Sequence, residues 1–367
     1  MTKTVVVLIA LLVFATLIPS SDKAKTVDTS DLPTYFSWRN INGIDFTTPI
    51  KDQSPAPTCE AYALCASLET IMQYQLREIY NPDLSETHLY FYPGGSYEKG
   101  YVNLMDAANY LIRYGVPDEG CYPDPHRAFD YPFESLPGWQ NRTVKIREWG
   151  WVPREEDAIK QSLIQHGPLI ACFIFGTDFY FYSGGVYEHV WGRIAGGHVV
   201  AIVGYDDSER CWIVKNSWGT SWGENGWFRL SYDADLFADW YGKDTGIMYI
   251  TGVYGILKPD APRVQIEAPL IFHNYYFGRE FPTIFRKLPF FLEASPRIFG
   301  SLQVKITAEN TNQVEFYIDN IKQYTDDQAP FIWEIKAENG FHTLEVRAIN
   351  DRNTSLGIID LYIFTNN

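Results

Sequence analysis

The sequence predicts an α+β protein of two domains, a mixed helix-and-strand domain followed by a domain made of strands alone. Three observations indicate this arrangement: an amphipathic helix starting near residue 58, apolar strand-like runs between residues 169 and 214, and alternating runs after residue 303. A proline-rich stretch over residues 258–262 separates the two patterns. At 367 residues the chain is long enough to form two separate cores.

The first element is an apolar run over residues 5–18 that follows Lys3 and precedes small polar residues. This order is typical of a secretory signal peptide, and the run is shorter than the roughly 20 residues that a spanning helix needs. We therefore assign residues 1–21 to a signal peptide and residues 22–32 to a short lead-in. An uncleaved N-terminal anchor is the alternative. We expect no membrane span beyond this segment.

The balance of charges excludes one class of partner. The chain carries 45 acidic and 30 basic residues, a formal charge of −15. A field of that sign repels phosphate backbones and anionic lipid headgroups, so we expect no nucleic-acid partner. The seven histidines are scattered and no Cys-x-x-Cys pair occurs, so we also expect no metal site and no cofactor.

The strongest helix signal begins near Thr58 and continues to about Tyr74. Apolar residues recur along one face of this segment at helical spacing, namely Ala61, Cys65, Leu68 and Met72. Pro57 precedes the helix, and the Thr58 hydroxyl is placed to cap its first amides. Cys59 therefore stands where unpaired backbone amides and the helix dipole favour a negatively charged sulfur.

The strands follow in two groups. Apolar runs occupy residues 169–175, 199–203 and 212–214, and a turn over residues 205–210 joins the last two. After the proline-rich stretch the chain alternates between apolar and polar residues, over residues 304–308, 314–318, 331–335, 342–348 and 358–363. Short strands separated by turns are typical of an all-β sandwich, and this one contains no cysteine to join its sheets.

The cysteine count is odd. The five cysteines are Cys59, Cys65, Cys121, Cys172 and Cys211. In an exported protein we expect four of them to pair and one to remain a free thiol. Four cysteines pair in three ways, and the sequence does not choose among them. Cys65 lies on the apolar face of the helix, which favours plain burial.

Four residues supply the parts that a cysteine nucleophile needs. Cys59 provides the sulfur, and His198, at the start of an apolar strand, provides a base on a rigid element. Asn216 follows the next strand, so a strand–turn–strand hairpin brings its amide beside the imidazole. Gln53 precedes the helix, where its side-chain amide joins the backbone amide of Cys59 as a donor to an oxyanion.

The segments that carry these residues resemble those of the papain and cathepsin family. The resemblance covers about residues 32–252 and rests on residues 32–39, 48–53, 196–205 and 215–227, the last of which is the most specific. His198 also follows Cys59 at the roughly 130–150-residue distance found in papain-like enzymes. The resemblance implies a two-lobed papain-like fold over residues 33–255, with a helical lobe, a β-barrel lobe and the active-site cleft between them.

The same resemblance implies a role for each residue. Cys59 is the expected nucleophile, which forms a thioester with the substrate acyl group. His198 is expected to pair with it as imidazolium and then to protonate the leaving amine. Asn216 is expected to hold the ring, with Trp218 shielding that hydrogen bond from water, and Gln53 to complete the oxyanion hole.

The implied substrates are proteins or peptides. Gly196 and Gly197 leave the cleft wall beside the histidine without side chains, which admits bulky groups. Ile250 aligns with the pocket for the residue second from the scissile bond, and Trp218 is the fourth expected substrate-binding residue. The expected activity is that of a cysteine endopeptidase, with exopeptidase or ligase work by the same residues as the near alternative.

The chain departs from the family around the nucleophile. The family has Gly-x-Cys-Gly-Ser-Cys-Trp there, whereas residues 54–60 read SPAPTCE. The usual disulfide cysteine is Ala56, and Glu60 replaces tryptophan. A carboxylate that faces the sulfur raises its pKa, whereas one that points away suits the helix N-terminus, and we expect the second. The alternative function that this departure raises is a catalytically impaired surface binding or adhesion protein.

The C-terminal residues 314–344 resemble bacterial and archaeal Ig-like modules of surface proteins. This resemblance implies an Ig-like β-sandwich over residues 266–367, after a linker over residues 256–265. Such a module is a spacer or an adhesive unit whose ligand is a cell surface, a glycan or a protein. Together with the signal peptide it predicts a secreted or cell-surface protein of a prokaryote.

Overall fold

The computed structural model describes residues 32–126, 134–234, 246–256, 258–282 and 295–365. The predicted signal peptide, residues 1–21, lies outside them. Four α-helices occur in the described residues: α1 Cys59–Leu76, α2 Glu86–Phe91, α3 Leu104–Arg113 and α4 Glu156–His166. Helix α1 begins and ends within two residues of its predicted bounds.

The described part of the chain contains two groups of strands. The first comprises β1 Tyr35–Ser37, β2 Val116–Pro117, β3 Thr143–Lys145, β4 Glu148–Trp151, β5 Leu169–Gly176, β6 Val186–Tyr187, β7 Ile194–Asp206, β8 Cys211–Lys215, β9 Trp227–Ser231, β10 Ile247–Thr251 and β11 Tyr254–Gly255. The second comprises β12 Arg263–Ala268, β13 His273–Tyr276, β14 Arg279–Pro282, β15 Arg297–Phe299, β16 Gln303–Glu309, β17 Gln313–Ile318, β18 Ile321–Asp326, β19 Phe331–Glu334, β20 Gly340–Ile349 and β21 Thr354–Phe364.

The first group of strands builds the framework that carries the site. An eight-stranded sheet has the order β4-β10-β5-β7-β8-β9-β6, and β1 pairs with β7 as well. Strands β5, β7 and β8 run antiparallel to their neighbours in this order. They contain the three apolar runs that the sequence predicted, and all residues of these runs are buried except Ile174 and Ile213, which are half-buried, because both faces of the sheet are covered here.

Helix α1 is buried between two hydrophobic clusters. One cluster joins Leu64 and Leu68 to helices α2 and α3 and to the β5–β10 part of the sheet. The other fills the opposite side of the sheet, and Ala66 and Tyr74 of α1 pack against it. The four residues of the predicted apolar face are all buried. The helix therefore lies along the boundary of two lobes, with its first residue at the point where β7 passes.

Thr58 occupies the N-cap position of α1, but its side chain makes no capping hydrogen bond, so that expectation was wrong. Its hydroxyl oxygen is buried without a hydrogen-bond partner. The first backbone amides of α1 are therefore not satisfied by this side chain. The amides of Ala61 and Tyr62 donate instead to the Thr58 carbonyl, at 3.1 and 3.2 Å.

The expectation that four cysteines pair was also wrong. All five cysteines carry free thiols, and four of them, Cys65, Cys121, Cys172 and Cys211, are buried. Cys65 and Cys172 lie in the first hydrophobic cluster, on a helix and a strand respectively. They act as small apolar residues of the core, which is a common use of free cysteine.

The second group of strands forms two sheets that share one core. A three-stranded sheet has the order β12-β16-β19, and a seven-stranded sheet has the order β14-β13-β15-β21-β20-β17-β18. Alternation explains their packing: Val304 and Ile306 of β16 are buried, whereas Gln303, Lys305 and Thr307 are exposed. The strand-rich region begins at Arg263, inside the segment predicted as a linker, because β12 pairs with β16 from that residue onwards.

Candidate active site

Cys59 is the first residue of α1 and is half-buried against the first hydrophobic cluster. Its sulfur lies against strand β7: the backbone amide of Val199, the residue after His198, is among the groups that act on its pKa. Cys172 pairs with Val199 across β5 and β7 and also acts on the sulfur. The helix start and the histidine strand therefore meet at Cys59.

His198 and Asn216 form a hydrogen-bonded pair. The distance from His198 Nε2 to Asn216 Oδ1 is 2.8 Å, and both side chains are buried. Asn216 Oδ1 also accepts a hydrogen bond from the backbone amide of Ser217 at 2.8 Å, which fixes the orientation of the side-chain amide. Because Oδ1 only accepts, Nε2 carries the proton, and Nδ1 is the ring nitrogen left to receive a proton from a thiol.

Trp218 covers this pair. Its ring centroid lies 4.8 Å from that of His198, and it stacks on Tyr180 at 5.7 Å. Phe179 and Trp222 close the remaining sides of the indole at 5.3 and 5.1 Å. This aromatic enclosure keeps water from the hydrogen bond between His198 and Asn216, which strengthens that bond.

Gln53 joins the two walls of the site. Its Oε1 accepts a hydrogen bond from the Ser217 hydroxyl at 2.6 Å, and its Nε2 donates to the backbone oxygen of Ala56 at 2.9 Å. The backbone amide of Gln53 donates to the Ser217 carbonyl at 2.9 Å. One N–H of the Gln53 amide is therefore engaged, and the second remains as a donor near the start of α1.

Glu60 faces the sulfur, contrary to the expectation that it points away. The Cys59 thiol donates to Glu60 Oε2 at 3.6 Å, and the Glu60 side chain is buried. The reason is that the residues of the first turn of α1 are enclosed by β7 and by the chain around Val102, so the carboxyl has no route to solvent.

Burial dominates the electrostatics of the site. It raises the pKa of the Cys59 thiol well above its ordinary value, and the Glu60 carboxyl raises it further. Burial lowers the pKa of His198 to about 4, although the hydrogen bond to Asn216 opposes this shift. The unliganded site therefore favours a neutral thiol and a neutral imidazole over the expected charged pair, because both charged forms lose their hydration.

The predicted substrate-binding residues fall into two groups. Gly196 and Gly197 lie on β7 opposite Phe175 and Ile174, and a Cβ added at Gly196 would meet nothing within 4 Å. The wall beside His198 is thus open at Gly196. Trp218, the third residue of this group, lies against the His198 ring. Ile250 is only 1% exposed and lies in the first hydrophobic cluster. Its assignment to a substrate pocket stays a prediction.

A buried ionic cluster beneath the site was missed by the sequence analysis. Lys51 Nζ lies 2.9 Å from Glu69 Oε1 and 2.6 Å from Glu86 Oε1. Thr48 continues the chain of contacts, since its hydroxyl donates to Glu69 Oε2 at 2.6 Å and accepts from Lys215 Nζ at 2.7 Å. Burial lowers the pKa of Lys215 to about 8.

This cluster positions the site because it ties α1 and α2 to the end of β8, immediately before Asn216. One signal could have revealed it. Glu69 lies on the apolar face of α1, four residues after Cys65 and three before Met72, where a charged residue requires a buried partner.

The described residues contain no group of three or more histidine, cysteine, aspartate or glutamate side chains that could hold a metal ion. They also contain no helix that is long and apolar enough to cross a membrane.

The comparison with protein families decides the assignment of the chain. The family profile described as papain family cysteine protease matches residues 32–249, more than half of the sequence. The chain belongs to the papain family. The matched region contains Cys59, His198 and Asn216 together with the sheet and helix that position them.

Curated relatives from this family match over part of their length. A senescence-specific cysteine protease of Oryza sativa subsp. indica is 30% identical over 226 residues, which is 59% of this chain and 63% of the relative. Fruit bromelain of Ananas comosus is 28% identical over 249 residues, 65% of this chain and 63% of bromelain. A cathepsin B-like protein of Giardia intestinalis is 50% identical over 76 residues, 20% of this chain and 25% of that protein. The chain thus spans less than two thirds of these relatives.

The fold agrees with the family. Xylellain, a cysteine protease from Xylella fastidiosa, superposes with a TM-score of 0.51 at 22% identity, covering 62% of this chain and 88% of xylellain. At that identity the similarity shows the papain-like fold and nothing further. Glu60 directly follows Cys59, at the position where the family motif given above has tryptophan.

Proposed function

We propose that the protein is a cysteine endopeptidase that hydrolyses peptide bonds through a thioester, with Cys59 as nucleophile and His198 as base and acid. The observation that carries the proposal is the 2.8 Å contact between His198 Nε2 and Asn216 Oδ1. This contact leaves Nδ1 unprotonated on a ring that Trp218 covers, and the Cys59 sulfur lies against Val199, the residue after His198. Such an arrangement suits proton transfer from a thiol.

The chemistry follows from these positions. The Cys59 proton passes to His198 Nδ1 as the sulfur attacks the carbonyl carbon of the scissile bond. The backbone amide of Cys59 and the second N–H of Gln53 are the proposed donors to the resulting oxyanion. The carbon–nitrogen bond then breaks, and the imidazolium gives its proton to the leaving amine. Water, deprotonated by His198, hydrolyses the thioester and releases the acyl product and the free thiol.

The proposed substrates are proteins or peptides. The relatives named cysteine protease and the family itself support this class. The open wall at Gly196 favours acceptance of bulky side chains beside His198. We also propose that the protein is secreted or held at the cell surface, and that the C-terminal region is an Ig-like module that binds a surface, a glycan or a protein. The strand-only architecture of that region supports the last point.

One observation favours a second candidate, a catalytically impaired binding protein. The Glu60 carboxyl contacts the sulfur and, when ionised, raises the pKa of the thiol. A thiol that never ionises would bind a peptide without cleaving it. The two candidates differ in the reactivity of Cys59.

The test combines cleavage and labelling. We expect the full chain to cleave an unfolded protein substrate, and the Cys59→Ala variant to lose this activity while keeping its melting temperature. Iodoacetamide is expected to label Cys59 faster than it labels the four buried cysteines. The matched control is Cys211→Ala, a buried cysteine outside the site, which should keep activity if it folds. Equal cleavage by the parent and the Cys59→Ala variant would exclude the endopeptidase mechanism.

A further inference from the structure

Glu60 is an acid enclosed beside the nucleophile. Its side chain is 4% exposed, and its Oε2 lies 3.6 Å from Cys59 Sγ. Among the described residues no lysine or arginine forms an ion pair with it. A buried carboxyl group without a cation favours its neutral, protonated form, because the ionised form loses its hydration and gains no opposite charge.

The groups that face Glu60 can be named for each packed element. On α1 these are the Cys59 thiol and the backbone amide of Glu60 itself. From the segment before α3 the backbone amide of Val102 reaches the carboxyl. From β5 the Cys172 thiol is close enough for its own pKa to be raised by Glu60. On β7 the titratable residue of the site is His198, which is neutral because burial lowers its pKa to about 4.

The balance of these contacts leaves burial as the largest effect. The amides of Glu60 and Val102 and the Cys59 thiol favour the ionised carboxylate, yet burial outweighs them and raises the pKa of Glu60 to about 8. The carboxyl is therefore protonated at neutral and acidic pH. In that form it has an O–H to donate as well as an oxygen to accept.

We propose that Glu60 is a positioning residue for the nucleophile, which donates a hydrogen bond to the Cys59 sulfur when protonated and disfavours the thiolate when ionised. The inference rests on the proposed function, in which Cys59 is the attacking sulfur. It adds a group that the family motif lacks at this position.

Two protons are involved, one on the Cys59 thiol and one on the Glu60 carboxyl. In the resting site the thiol donates its proton toward Glu60 Oε2. When that proton passes to His198 Nδ1, the sulfur becomes an acceptor, and the carboxyl O–H turns to donate to it. Glu60 keeps its own proton throughout. Above about pH 8 the carboxyl is ionised, offers no donor, and places a negative charge beside the sulfur.

The experiment measures alkylation of Cys59 by iodoacetamide from pH 5 to pH 10, in the parent chain and in Glu60→Gln, with the labelled cysteine identified by peptide mass spectrometry. Glutamine keeps the shape and a donor and cannot ionise. We expect equal rates at pH 6. At pH 9.5 we expect Glu60→Gln to react about tenfold faster, the change that one unit of thiol pKa produces. The matched control is Glu78→Gln, an exposed acid just past the end of α1, which should follow the parent.

A second variant covers the case in which Glu60→Gln does not fold. Glu60→Leu has neither a hydrogen-bond donor nor a charge. At pH 6 we therefore expect its Cys59 to be alkylated more slowly than that of the parent. Above pH 8 we expect its rate, relative to the parent, not to fall. Identical pH profiles for the parent and either folded variant would overturn the proposal. A large loss of reactivity at pH 6 in a folded Glu60→Gln variant would overturn it as well, because a neutral donor is then not sufficient.

Peptide cleavage is measured in parallel to separate this inference from the proposed function. Alkylation needs no turnover, so the predicted profiles without any cleavage would refute the endopeptidase function alone. Cleavage with profiles that do not depend on Glu60 would refute the positioning role alone. If the endopeptidase function and the positioning role are both correct, Glu60→Gln should have a higher kcat than the parent above pH 8. KM should be unchanged, since Glu60 acts through the sulfur.

Discussion

Asn216 Oδ1 lies 2.8 Å from His198 Nε2 and, at the same time, 2.8 Å from the backbone nitrogen of Ser217. The backbone amide of Ser217 thus fixes the Asn216 side chain, and the Asn216 side chain fixes the His198 imidazole. Asn216 Nδ2 is buried without a hydrogen-bond partner. A buried donor without a partner costs stability. This arrangement persists because the surrounding structure holds the side chain with its oxygen toward the His198 ring.

This relationship predicts the effect of removing the amide. We expect Asn216→Ala to lower kcat/KM by about 100-fold, the loss typical of a misplaced catalytic group, because the ring is then free to turn. Measurement of kcat and KM on a peptide substrate checks this. Asn312→Ala, which removes an exposed amide paired with Asp351 in the C-terminal region, is the control. Unchanged kcat/KM in Asn216→Ala would contradict the orienting role.

Trp218 is expected to matter for stability as well as for shielding. It fills the space between His198, Phe179 and Tyr180, so Trp218→Ala leaves a cavity and should cost about 3–5 kcal/mol of unfolding free energy. Trp218→Phe keeps part of the packing and should cost less. Urea denaturation measures both. If the two variants are equally stable, the indole is not packed as described.

The helix and the strands around the site were predictable because they are local patterns. Helix α1 and strands β5, β7 and β8 follow apolar periodicity, which burial in the core enforces. The direction of Glu60 was not predictable, because the helix N-terminus favours an outward acid and only the packing of Val102 and β7 prevents it. Cysteine counting failed for a similar reason: it carries no information on distance.

The ionic cluster escaped sequence analysis because its members are distant along the chain. Lys51, Glu86 and Lys215 look like ordinary surface charges when each is considered alone, and only Glu69 stands on an apolar helix face. Their partners become visible only when α1, α2 and β8 are packed together. Buried charges of this kind depend on one another, so the loss of a single member is severe.

The cluster predicts a pH-dependent loss of stability. Lys51→Met removes the cation that directly contacts Glu69 and Glu86, and we expect a loss of about 3–5 kcal/mol at neutral pH. Burial already raises the pKa of Glu86 to about 8 in the parent. The protonated Glu86 therefore contributes its full stability at pH values below the ordinary pKa of a glutamate. This contribution is lost as the pH rises from there toward 8. Without Lys51 the pKa rises further, and the deficit should grow with pH.

Denaturation of the parent and of Lys51→Met at pH 5 and at pH 8 measures this difference. The double variant Lys51→Met/Glu69→Gln should recover part of the stability, because one of the two buried charges is removed. A deficit that is constant across pH would show that the loss comes from packing alone, and not from uncompensated carboxylates.

A buried arginine, Arg142, links the papain-family region to the C-terminal strands. Arg142 Nε donates to Asp118 Oδ2 at 2.7 Å, its Nη1 donates to the Thr354 carbonyl at 2.7 Å, and its Nη2 donates to the Ser355 hydroxyl at 2.9 Å. The packing at this point is close, since a Cβ added at Gly120 would lie 2.6 Å from the Ser355 side chain. The C-terminal region therefore rests directly on the segment around Gly120, within the region that matches the papain family.

Loss of the Arg142 hydrogen bonds should lower the stability of the protein and leave its catalytic activity unchanged. We expect Arg142→Gln to lower the unfolding free energy by about 1.5–3 kcal/mol, the value of hydrogen bonds to a charged group, because Asp118 and the Thr354 carbonyl lose their shared donor. Arg352→Gln is the matched control: its side chain is 78% exposed and pairs with Asp260 at 3.2 Å, so its loss should change stability by less than about 1 kcal/mol. Neither arginine touches Cys59 or His198, so kcat/KM should be unchanged in both variants. A fall in kcat/KM with Arg142→Gln, at a temperature where the variant is folded, would mean that docking of the C-terminal region shapes the cleft.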